Sequence, residues 1–383
     1  MRITLIIYAL TSGGAERVLS IMANYWASKG WLITLLTFDD GSVAPFYELD
    51  PRVQHLPLKL AGYSSNPFAA IVNNWQRVQV LRSGIINSQP DVVISFLDTT
   101  NVTTLLAARK LPFPVIVDEQ NHPTMCRVSK SWDLLRQCMY PQADQIVAIT
   151  ERALSYFSPQ VQARGCVIPN PAMVVTRAEG ATVQLLTKPS LIAMGRLDPQ
   201  KGFDILLQAF APLKDRYPDW TLTILGEGAL RSELETQRDQ LGLRDRANFL
   251  GAVKNPHDFL TDADIFVMSS RFEGFPNALC EAMASGLAVI SADCLSGPRE
   301  IIRDGIDGLL VPTENVEALT AAMERLMTDE TERRRLAARA PEVTERFGLE
   351  QVMQMWEATI EKVIREKSKL RTHTNFGQRS NEF

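Results

Sequence analysis

The residues best suited to chemistry are two glutamates, Glu273 and Glu281, which stand eight residues apart within the stretch 269–286. The apolar run 265–268 precedes this stretch and predicts a buried strand. Pro276 can occupy the first turn of a following helix, because the N–H group that proline lacks has no partner there. We therefore expect Glu273 in the loop just beyond a strand and Glu281 roughly one turn into a helix.

The start of this predicted helix is also a candidate anion site. The first peptide N–H groups of a helix have no partner within it, and the helix dipole favours negative charge beside them. Here these groups belong to Phe275, Asn277 and Ala278. Carboxylates on either side would repel an anion unless they bind its neutral hydroxyl groups. The pattern therefore favours a phosphate that is attached to sugars.

The string from Glu273 to Gly286 resembles the Glu-x7-Glu motif of retaining nucleotide-sugar glycosyltransferases, in particular the group-4 family of bacterial enzymes with the GT-B fold. In that family the first glutamate contacts the donor sugar and the second holds the nucleotide ribose; the resemblance implies these roles for Glu273 and Glu281. A capped amphipathic helix with two incidental acids is the alternative. The donor-binding residues that this motif implies are Glu273, Phe275, Pro276, Asn277, Ala278, Leu279 and Glu281.

A second candidate site follows another predicted strand, 191–194. Gly195 opens a turn that contains Arg196 and Lys201, and a helix is predicted from Phe203. Arginine can bind two phosphate oxygens at once, and lysine supplies a mobile point charge. The pattern GxLxxxKG also resembles the diphosphate-binding loop of the family. We therefore predict that Gly195, Arg196 and Lys201 bind the donor diphosphate; the alternative is a solvated turn with two exposed charges.

Two further candidates lie in the N-terminal half of the chain. Gly13 and Gly14 form a turn between a predicted strand and a predicted helix, where a backbone can approach a phosphate closely. The family has a Gly-Gly-Ala-Glu turn here that faces the donor diphosphate; a plain tight turn is the alternative. His122 follows the predicted strand 115–117, and several family members have a histidine near this point beside the reacting sugar. The resemblance makes His122 a candidate catalytic residue, against the alternative of a hydrogen-bonded loop histidine.

These candidate sites share one place in the predicted architecture. Each follows a strand, and parallel α/β sheets bind ligands at the edge where their strands end. Strand–turn–helix units recur in both halves of the 383-residue chain, which is long enough for two domains. The predicted fold class is therefore α/β. The resemblance implies the GT-B fold, with two Rossmann-like doubly wound parallel-sheet domains facing across a cleft.

The predicted domain boundaries follow the same pattern. Residues 1–170 are expected to form an N-terminal Rossmann-like acceptor-binding domain, and residues 171–345 a C-terminal Rossmann-like domain that binds the nucleotide-sugar donor. A C-terminal helix, 346–366, is expected to cross back to the N-terminal domain. The segment 367–383 is polar and basic with little apolar content, so we predict a disordered tail.

The composition argues against several other classes of protein. The formal net charge of −4 argues against a dedicated nucleic-acid binder, and no apolar run approaches the roughly 18 residues of a membrane span. The run 3–8 could pass for a short signal segment, but the glycine turn and helix after it indicate a first strand. Five cysteines without CxxC spacing fit a reducing compartment. We predict a cytoplasmic protein.

A peripheral contact with the inner face of the cell membrane is compatible with this location. The segment 127–140 mixes basic residues with Trp132, Leu134 and Leu135. A basic amphipathic segment of this kind can lie on anionic lipid. The basic tail would add to that attraction. An ordinary surface helix is the alternative interpretation.

No metal ion and no cofactor are expected. Asp262 and Asp264 offer the Asp-x-Asp pattern of metal-dependent glycosyltransferases. They precede the predicted strand 265–268, away from the ligand edge, so a turn role is expected for both. Arg196, Lys201 and helix N-termini can stabilise a leaving diphosphate by themselves.

The resemblance implies a retaining hexosyltransferase. It would move a hexose or N-acetylhexosamine from a nucleoside diphosphate sugar, expected to be a UDP-sugar, to a hydroxyl of a glycan or lipid-linked glycan in polysaccharide biosynthesis. In relatives the backbone after Gly251 pairs with the nucleotide base, which assigns Val253 to the donor site without identifying the base. The catalytic residues implied by the resemblance are Glu273, Arg196, Lys201 and His122.

Two other functions remain open from the sequence. A GT-B sugar-nucleotide epimerase would also bind a diphosphate, but it needs acid and base groups around the sugar, of which this chain offers few. A catalytically silent sugar-nucleotide-binding subunit would keep the anion-binding residues without turnover. A nicotinamide dehydrogenase is disfavoured because the GxGxxG motif is missing. Release of free nucleoside diphosphate would distinguish a transferase from a binder.

Overall fold

The computed structural model describes residues 1–60, 62, 67–124, 129–173, 185–253 and 255–379. These residues form two compact units. The first unit contains Met1–Pro169 and Val352–Phe383, and the second contains Asn170–Gln351. The two ends of the chain therefore belong to the same unit.

The first unit is built on a parallel sheet. Its strands within the described residues are β1 (Arg2–Ile7), β2 (Leu32–Thr37), β3 (Gln54–Pro57), β4 (Val92–Phe96), β5 (Val115–Glu119), β6 (Gln145–Ala148) and β7 (Gly165–Val167). All neighbours pair in parallel, in the order β3-β2-β1-β4-β5-β6-β7. The order reverses between β1 and β4, and sheets of this type bind ligands outside the carboxyl ends of the strands at such a point.

Helices connect these strands and cover the sheet. Those described are α1 (Gly14–Ser28), α2 (Pro67–Ser88), α3 (Asp98–Ala108), α4 (Lys130–Met139), α5 (Glu151–Ser155) and α6 (Pro159–Gln162). A parallel sheet needs helices on its faces, which explains why β4 and β5 are buried at every residue. Each aliphatic side chain buried in this way contributes about 1.5–3 kcal/mol to folding.

The second unit repeats this architecture with another parallel sheet. Its described strands are β8 (Ser190–Met194), β9 (Thr221–Leu225), β10 (Ala247–Gly251), β11 (Ile265–Met268), β12 (Ala288–Ala292) and β13 (Leu309–Val311). The order is β10-β9-β8-β11-β12-β13, so this sheet reverses between β8 and β11. Its described helices are α7 (Phe203–Phe210), α8 (Arg231–Gln240), α9 (Pro256–Asp262), α10 (Asn277–Ala284), α11 (Pro298–Ile301), α12 (Val316–Thr328), α13 (Glu330–Arg339) and α14 (Val343–Phe347).

The last helix, α15 (Leu349–Arg379), packs within the first unit from Val352 onward. Trp356 stacks on Phe96 with the ring centroids 6.4 Å apart. The helix continues through most of the segment for which the polar composition predicts a disordered tail. That segment is rich in lysine and arginine, which are good helix formers, so the helix can extend beyond its packed part. The helix thus extends to Arg379, and the disorder expected for 367–383 stays a prediction.

The basic amphipathic segment 127–140 is less basic on its surface than its composition suggests. Its first two residues lie outside the described part of the chain. In α4 the Arg136 side chain is buried and pairs with Asp133 at 2.6 Å, whereas Leu134 and Lys130 are exposed. Arg136 therefore serves the interior and not a membrane-facing surface. Among the helices described, none is both long enough and apolar enough to cross a membrane.

Candidate functional site

Two loops meet at the reversal point of the second sheet. Residues 195–202, the clamp loop, follow β8, and residues 269–276, the carboxylate loop, follow β11. β8 and β11 pair in parallel, so their carboxyl ends lie at the same edge of the sheet. The Arg271 N–H donates to the Gln200 carbonyl at 2.8 Å, which joins the two loops directly.

Lys201 and Glu273 form an ion pair across the two loops. The Lys201 Nζ lies 2.7 Å from Glu273 Oε1, and the Ser270 hydroxyl donates to the same oxygen at 2.6 Å. The two charged side chains are 19% and 6% exposed, so water screens the pair only in part. Removing one partner would leave the other charge uncompensated. The sequence predicted both residues for the site but not their direct contact.

The backbone of the clamp loop fits closely against its neighbours. Gly202 has a φ of +61°, and a Cβ at this residue would lie 2.3 Å from the Ser269 carbonyl oxygen. Gly226, just after β9, has a φ of +140°, and a Cβ there would lie 1.9 Å from the Gly195 carbonyl oxygen. Only glycine fits these two positions without strain. Gly226 was not among the predicted site residues, although the Gly-Glu-Gly segment after a strand was a visible signal.

Arg196 lies at the surface of the clamp loop. Its side chain is 69% exposed, and one guanidinium nitrogen lies 3.2 Å from the Asp198 carboxylate of the same loop. An exposed pair of this kind contributes little to stability. The guanidinium can therefore leave Asp198 for a ligand at small cost, whereas Lys201 is already fixed.

The start of α10 has no side-chain cap. Its N-cap residue is Pro276, one residue earlier than the first-turn position that the sequence predicted. Proline has no side-chain oxygen that could accept from the first N–H groups of the helix. Asn277 and Ala278, which follow it, are half-buried. The helix start therefore keeps backbone donors beside the carboxylate loop, where capping side chains usually satisfy them.

The other predicted donor residues around α10 are buried. Glu281 lies one turn into the helix. Leu279 is fully buried, and its N–H donates to the Pro276 carbonyl at 3.0 Å, so neither its side chain nor its N–H is open to a ligand. The Phe275 ring packs edge-on against Phe347, with centroids 5.4 Å apart. These residues therefore lie together around α10, and the half-buried start of the helix is the part that a ligand can reach most easily.

Val253 lies at the same edge of the second sheet but further from the two loops. It follows β10, which β9 separates from β8. The Gly226 N–H donates to the Gly251 carbonyl at 2.8 Å, which joins the ends of β9 and β10. Val253 is half-buried.

The Asp-x-Asp pattern lies at the opposite end of the second sheet. Asp262 accepts hydrogen bonds from the N–H groups of Leu185 and Leu186 at 2.7 and 2.8 Å, and Asp264 accepts one from the Ser190 N–H at 2.8 Å. Both carboxylates thus fix the backbone that enters β8. In the part of the chain that the structure describes, no group of three or more His, Cys, Asp or Glu side chains could hold a metal ion.

In the first unit, a carboxylate covers the predicted phosphate turn. Gly13 is the N-cap of α1, and Gly14 is its first residue. A Cβ on Gly13 would lie 2.1 Å from Glu16 Oε2, and the Thr11 hydroxyl donates to the same carboxylate at 2.9 Å. A negative charge is favourable at a helix N-terminus. The Glu16 carboxylate therefore occupies the space beside Gly13 where the sequence predicted a phosphate.

His122 is buried in the loop that follows β5. Its Nδ1 lies 2.8 Å from the Thr124 hydroxyl oxygen, and the ring also hydrogen-bonds the backbone of Arg152. Burial lowers the pKa of the imidazole below its usual range, so the ring is neutral at pH 7. The ring packs edge-on against Tyr156. These are the contacts expected of a hydrogen-bonded loop histidine.

Two buried carboxyl groups at the end of β5 were not predicted as site residues. Asp118 is fully buried, and Glu119 accepts a hydrogen bond from the Tyr140 hydroxyl. Burial raises the pKa of Asp118 to about 8 and that of Glu119 to about 7, although Arg136 opposes the second shift. The available signal was an acid pair directly at the end of an apolar strand.

Known proteins match both units. Residues 13–171 match the family model described as glycosyl transferase 4-like domain, and residues 179–343 match that of the glycosyl transferases group 1. The Campylobacter jejuni GalNAc-α-(1→4)-GalNAc-α-(1→3)-diNAcBac-PP-undecaprenol α-1,4-N-acetyl-D-galactosaminyltransferase is 30% identical over 358 residues, which cover 93% of this chain and 97% of that protein.

Two further comparisons agree with these matches. A second C. jejuni protein, the N-acetylgalactosamine-N,N'-diacetylbacillosaminyl-diphospho-undecaprenol 4-α-N-acetylgalactosaminyltransferase, is 28% identical over 341 residues, 86% of this chain and 91% of that protein. The crystal structure of Anabaena HepE in complex with UDP superposes with a TM-score of 0.78 at 19% identity, over 94% of this chain and 100% of that chain. The predictions of family and fold are thus confirmed: this chain belongs to the group 1 glycosyltransferases and has the α/β GT-B fold.

Proposed function

We propose that this chain is a retaining, metal-independent glycosyltransferase that moves a hexose or N-acetylhexosamine from a UDP-sugar to a hydroxyl of a lipid-linked glycan in polysaccharide biosynthesis. The observation that carries this proposal is the Lys201–Glu273 pair beside the uncapped start of α10. It supports the proposal because a cation and backbone N–H groups that could bind a diphosphate lie at the same sheet edge as a carboxylate that could bind sugar hydroxyls.

The cations and the helix start would stabilise the leaving diphosphate. When the bond between the anomeric carbon and the diphosphate oxygen breaks, its electron pair stays on that oxygen. Lysine has three N–H donors, so Lys201 keeps two for phosphate while it binds Glu273. Arg196 is exposed and can add a bidentate contact. Each donor aimed at such a developing charge is typically worth about 10²–10³ in rate.

The two glutamates would orient the rest of the donor. Glu273 would accept a hydrogen bond from a hydroxyl of the donor sugar, and Glu281 would hold the ribose. The acceptor oxygen then bonds to the anomeric carbon from the face that the diphosphate leaves, and its proton passes to the leaving diphosphate, which retains the anomeric configuration. The remaining proposed donor contacts are backbone contacts of Gly195, Val253, Phe275, Pro276, Asn277 and Ala278, with Leu279 shaping the helix from inside.

The first unit would bind the acceptor. The names of the two C. jejuni relatives specify undecaprenol-linked glycans, and the HepE structure contains UDP, which supports the donor and acceptor classes proposed here. A lipid-linked acceptor would bring the protein to the cytoplasmic face of the membrane. A catalytic role of His122 beside the reacting sugar stays a prediction; its contact with the Thr124 hydroxyl also holds the loop after β5. Donor contacts of Gly13 and Gly14 stay a prediction.

Nucleotide binding tests the donor assignment. The measurement is the thermal shift produced by UDP, GDP and ADP in the wild type, in Glu281→Ala and in the exposed control Glu317→Ala. A ligand at a hundred times its Kd stabilises by about 2.7 kcal/mol, which is readily measured. We expect UDP to stabilise the wild type and the control, and its affinity to fall about tenfold or more in Glu281→Ala, since a hydrogen bond to a charged group is lost. No shift with any nucleotide would contradict the proposal.

Turnover separates the remaining functions. A transferase releases UDP from a UDP-sugar when an undecaprenol-diphosphate-linked glycan is present. A sugar isomer formed from the UDP-sugar without an acceptor would instead identify an epimerase. Binding of UDP-sugars without release or isomerisation would identify a silent sugar-nucleotide-binding subunit.

A further inference from the structure

The Ser270 hydroxyl makes a contact that the roles above do not use. Ser270 is 1% exposed, and its hydroxyl donates to Glu273 Oε1 at 2.6 Å. Lys201 Nζ contacts the same oxygen at 2.7 Å. Within the described residues, both donors converge on Oε1 and neither contacts Oε2.

We propose that Ser270 is a positioning residue that reserves Oε2 of Glu273 for a hydroxyl of the donor sugar. This inference rests on the proposed function and deepens it. A single ion pair would let the plane of the carboxylate rotate about its last side-chain torsion, which is broad. A second donor on the same oxygen restricts that rotation and so fixes the direction in which the other oxygen points. The other oxygen then remains as the acceptor for a ligand.

The arrangement also links the sugar to the leaving group. Glu273 contacts the cation of the diphosphate site through Oε1, and it would contact the sugar through Oε2. A carboxylate can only accept hydrogen bonds, so the ligand group at Oε2 has to be a donor such as a hydroxyl. A sugar that lacks this hydroxyl would leave Oε2 of a buried carboxylate without that hydrogen bond, and sites built on such contacts discriminate strongly.

The backbone around Ser270 is held firmly enough for this role. The guanidinium of the next residue, Arg271, binds both carboxylate oxygens of Asp204 at 2.9 and 2.7 Å and the Pro199 carbonyl at 2.8 Å. On the other side, the Ser269 hydroxyl donates to the Lys201 carbonyl at 3.0 Å. Ser270 therefore sits between two anchors to the clamp loop, and its hydroxyl direction is set before a ligand arrives.

The first test compares the wild type with Ser270→Ala and with Ser270→Thr, which keeps the hydroxyl. The probes are UDP for binding and, for UDP release in the presence of an undecaprenol-diphosphate-linked glycan, UDP-glucose, UDP-galactose, UDP-N-acetylglucosamine and UDP-N-acetylgalactosamine. We expect Ser270→Ala to lower kcat about tenfold, as for the loss of one hydrogen bond to a charged group, with KM and the Kd of UDP within about twofold. Ser270→Thr should restore most of kcat. A parallel rise in KM and in the Kd of UDP would show general loosening of the loop and overturn the proposal.

A second measurement uses deoxy forms of the sugar that the wild type turns over. One missing hydroxyl should cost the wild type the most, and that cost should shrink in Ser270→Ala, because the oxygen that receives the hydroxyl is no longer fixed. Independent, additive losses would contradict the proposal.

The two proposals can fail separately. If the wild type, with the undecaprenol-diphosphate-linked glycan present, releases UDP from none of the four UDP-sugars, the proposed function fails. Crystal structures of the ligand-free wild type and Ser270→Ala then still decide the role of Ser270. The proposal expects the Glu273 carboxylate to turn in the variant while Lys201 and the clamp loop stay in place. An unmoved carboxylate would overturn it.

Discussion

Each sheet has a helix that starts at its reversal point, and the two helix starts differ in what faces them. In the second unit α10 begins after Pro276, which offers no capping oxygen, and the Lys201–Glu273 pair lies in the adjoining loops. In the first unit α1 begins at Gly14 with the Glu16 carboxylate folded over its N-cap residue. The same topology therefore gives one helix start with no acid in its first turn and another with Glu16 in its first turn.

The acids near the two edges differ in the same sense. Glu273 has a direct cationic partner and lies beside accessible backbone donors. Asp118 and Glu119 lie in the interior of the first unit, where burial raises the pKa of both carboxyl groups. Strand order alone thus does not make a nucleotide site. The local pairing of charges assigns the diphosphate to the second unit in our proposal, and three variants test this contrast.

The largest effect is expected from Lys201→Met. The change removes the fixed cation of the clamp loop and leaves the Glu273 carboxylate buried beside an apolar side chain. We expect turnover, measured as UDP release, to fall by about 10²–10³. Arg196→Met is the matched comparison and should cost less, because that side chain is exposed and already has Asp198 as a partner. If turnover of Lys201→Met stays within threefold of the wild type, the assignment of the diphosphate to the second unit is contradicted.

An intermediate effect is expected from Asp118→Asn on the pH dependence of stability. The pKa of Asp118 is about 8 in the folded state and near 4 in the unfolded state, so the folded state holds a proton that the unfolded state releases between these values. Stability from this group is present below about pH 4 and is lost as the pH rises towards 8, by at most about 1.4 kcal/mol per pH unit. Glu119 acts in the same direction up to about pH 7.

Asparagine cannot ionise, so Asp118→Asn should lose less stability than the wild type between pH 5 and 8. Urea unfolding at several pH values measures the difference, with the exposed Asp219→Asn as control. If the free energy of unfolding changes with pH equally in the wild type and in Asp118→Asn, burial does not raise the pKa of Asp118 as we describe.

The smallest effect is expected from Glu16→Gln. The change removes the charge at the start of α1 but keeps an oxygen that can accept from the Thr11 hydroxyl. We expect a loss of about 0.3–1 kcal/mol in the free energy of unfolding, larger at low salt, since this is the usual value of a charge at a helix terminus. A variant more stable than the wild type at low salt would refute a favourable charge at this helix start.

The edge at which the candidate residues lie could be predicted from the sequence because its signals are local. An apolar run followed by a glycine or proline turn marks a strand end, and 191–194 and 265–268 both show this pattern. The pairing of Lys201 with Glu273 could not be predicted, because the two residues are 72 positions apart and meet only because β8 and β11 are neighbours.

The sequence also could not predict which polar side chains are buried. Arg136 looked like part of a basic surface, but the structure turns it inward to Asp133. Glu119 accepts a hydrogen bond from the Tyr140 hydroxyl, 21 residues further along the chain, and nothing in the sequence indicates this contact. Such contacts depend on which helix covers which strand, and residue types and spacing do not determine that.

The first unit contains segments from both ends of the chain, so its folding can be completed only late in synthesis. Strands β1–β7 leave the ribosome first, but α15, which brings Trp356 onto Phe96, is translated only after the whole second unit. At about 5–20 residues per second, this delay is on the order of ten seconds or more. During that time the apolar surface that α15 later covers is exposed on the nascent chain. Chaperone binding at that stage should therefore concentrate on the N-terminal half, and C-terminal truncation should unfold the first unit before the second.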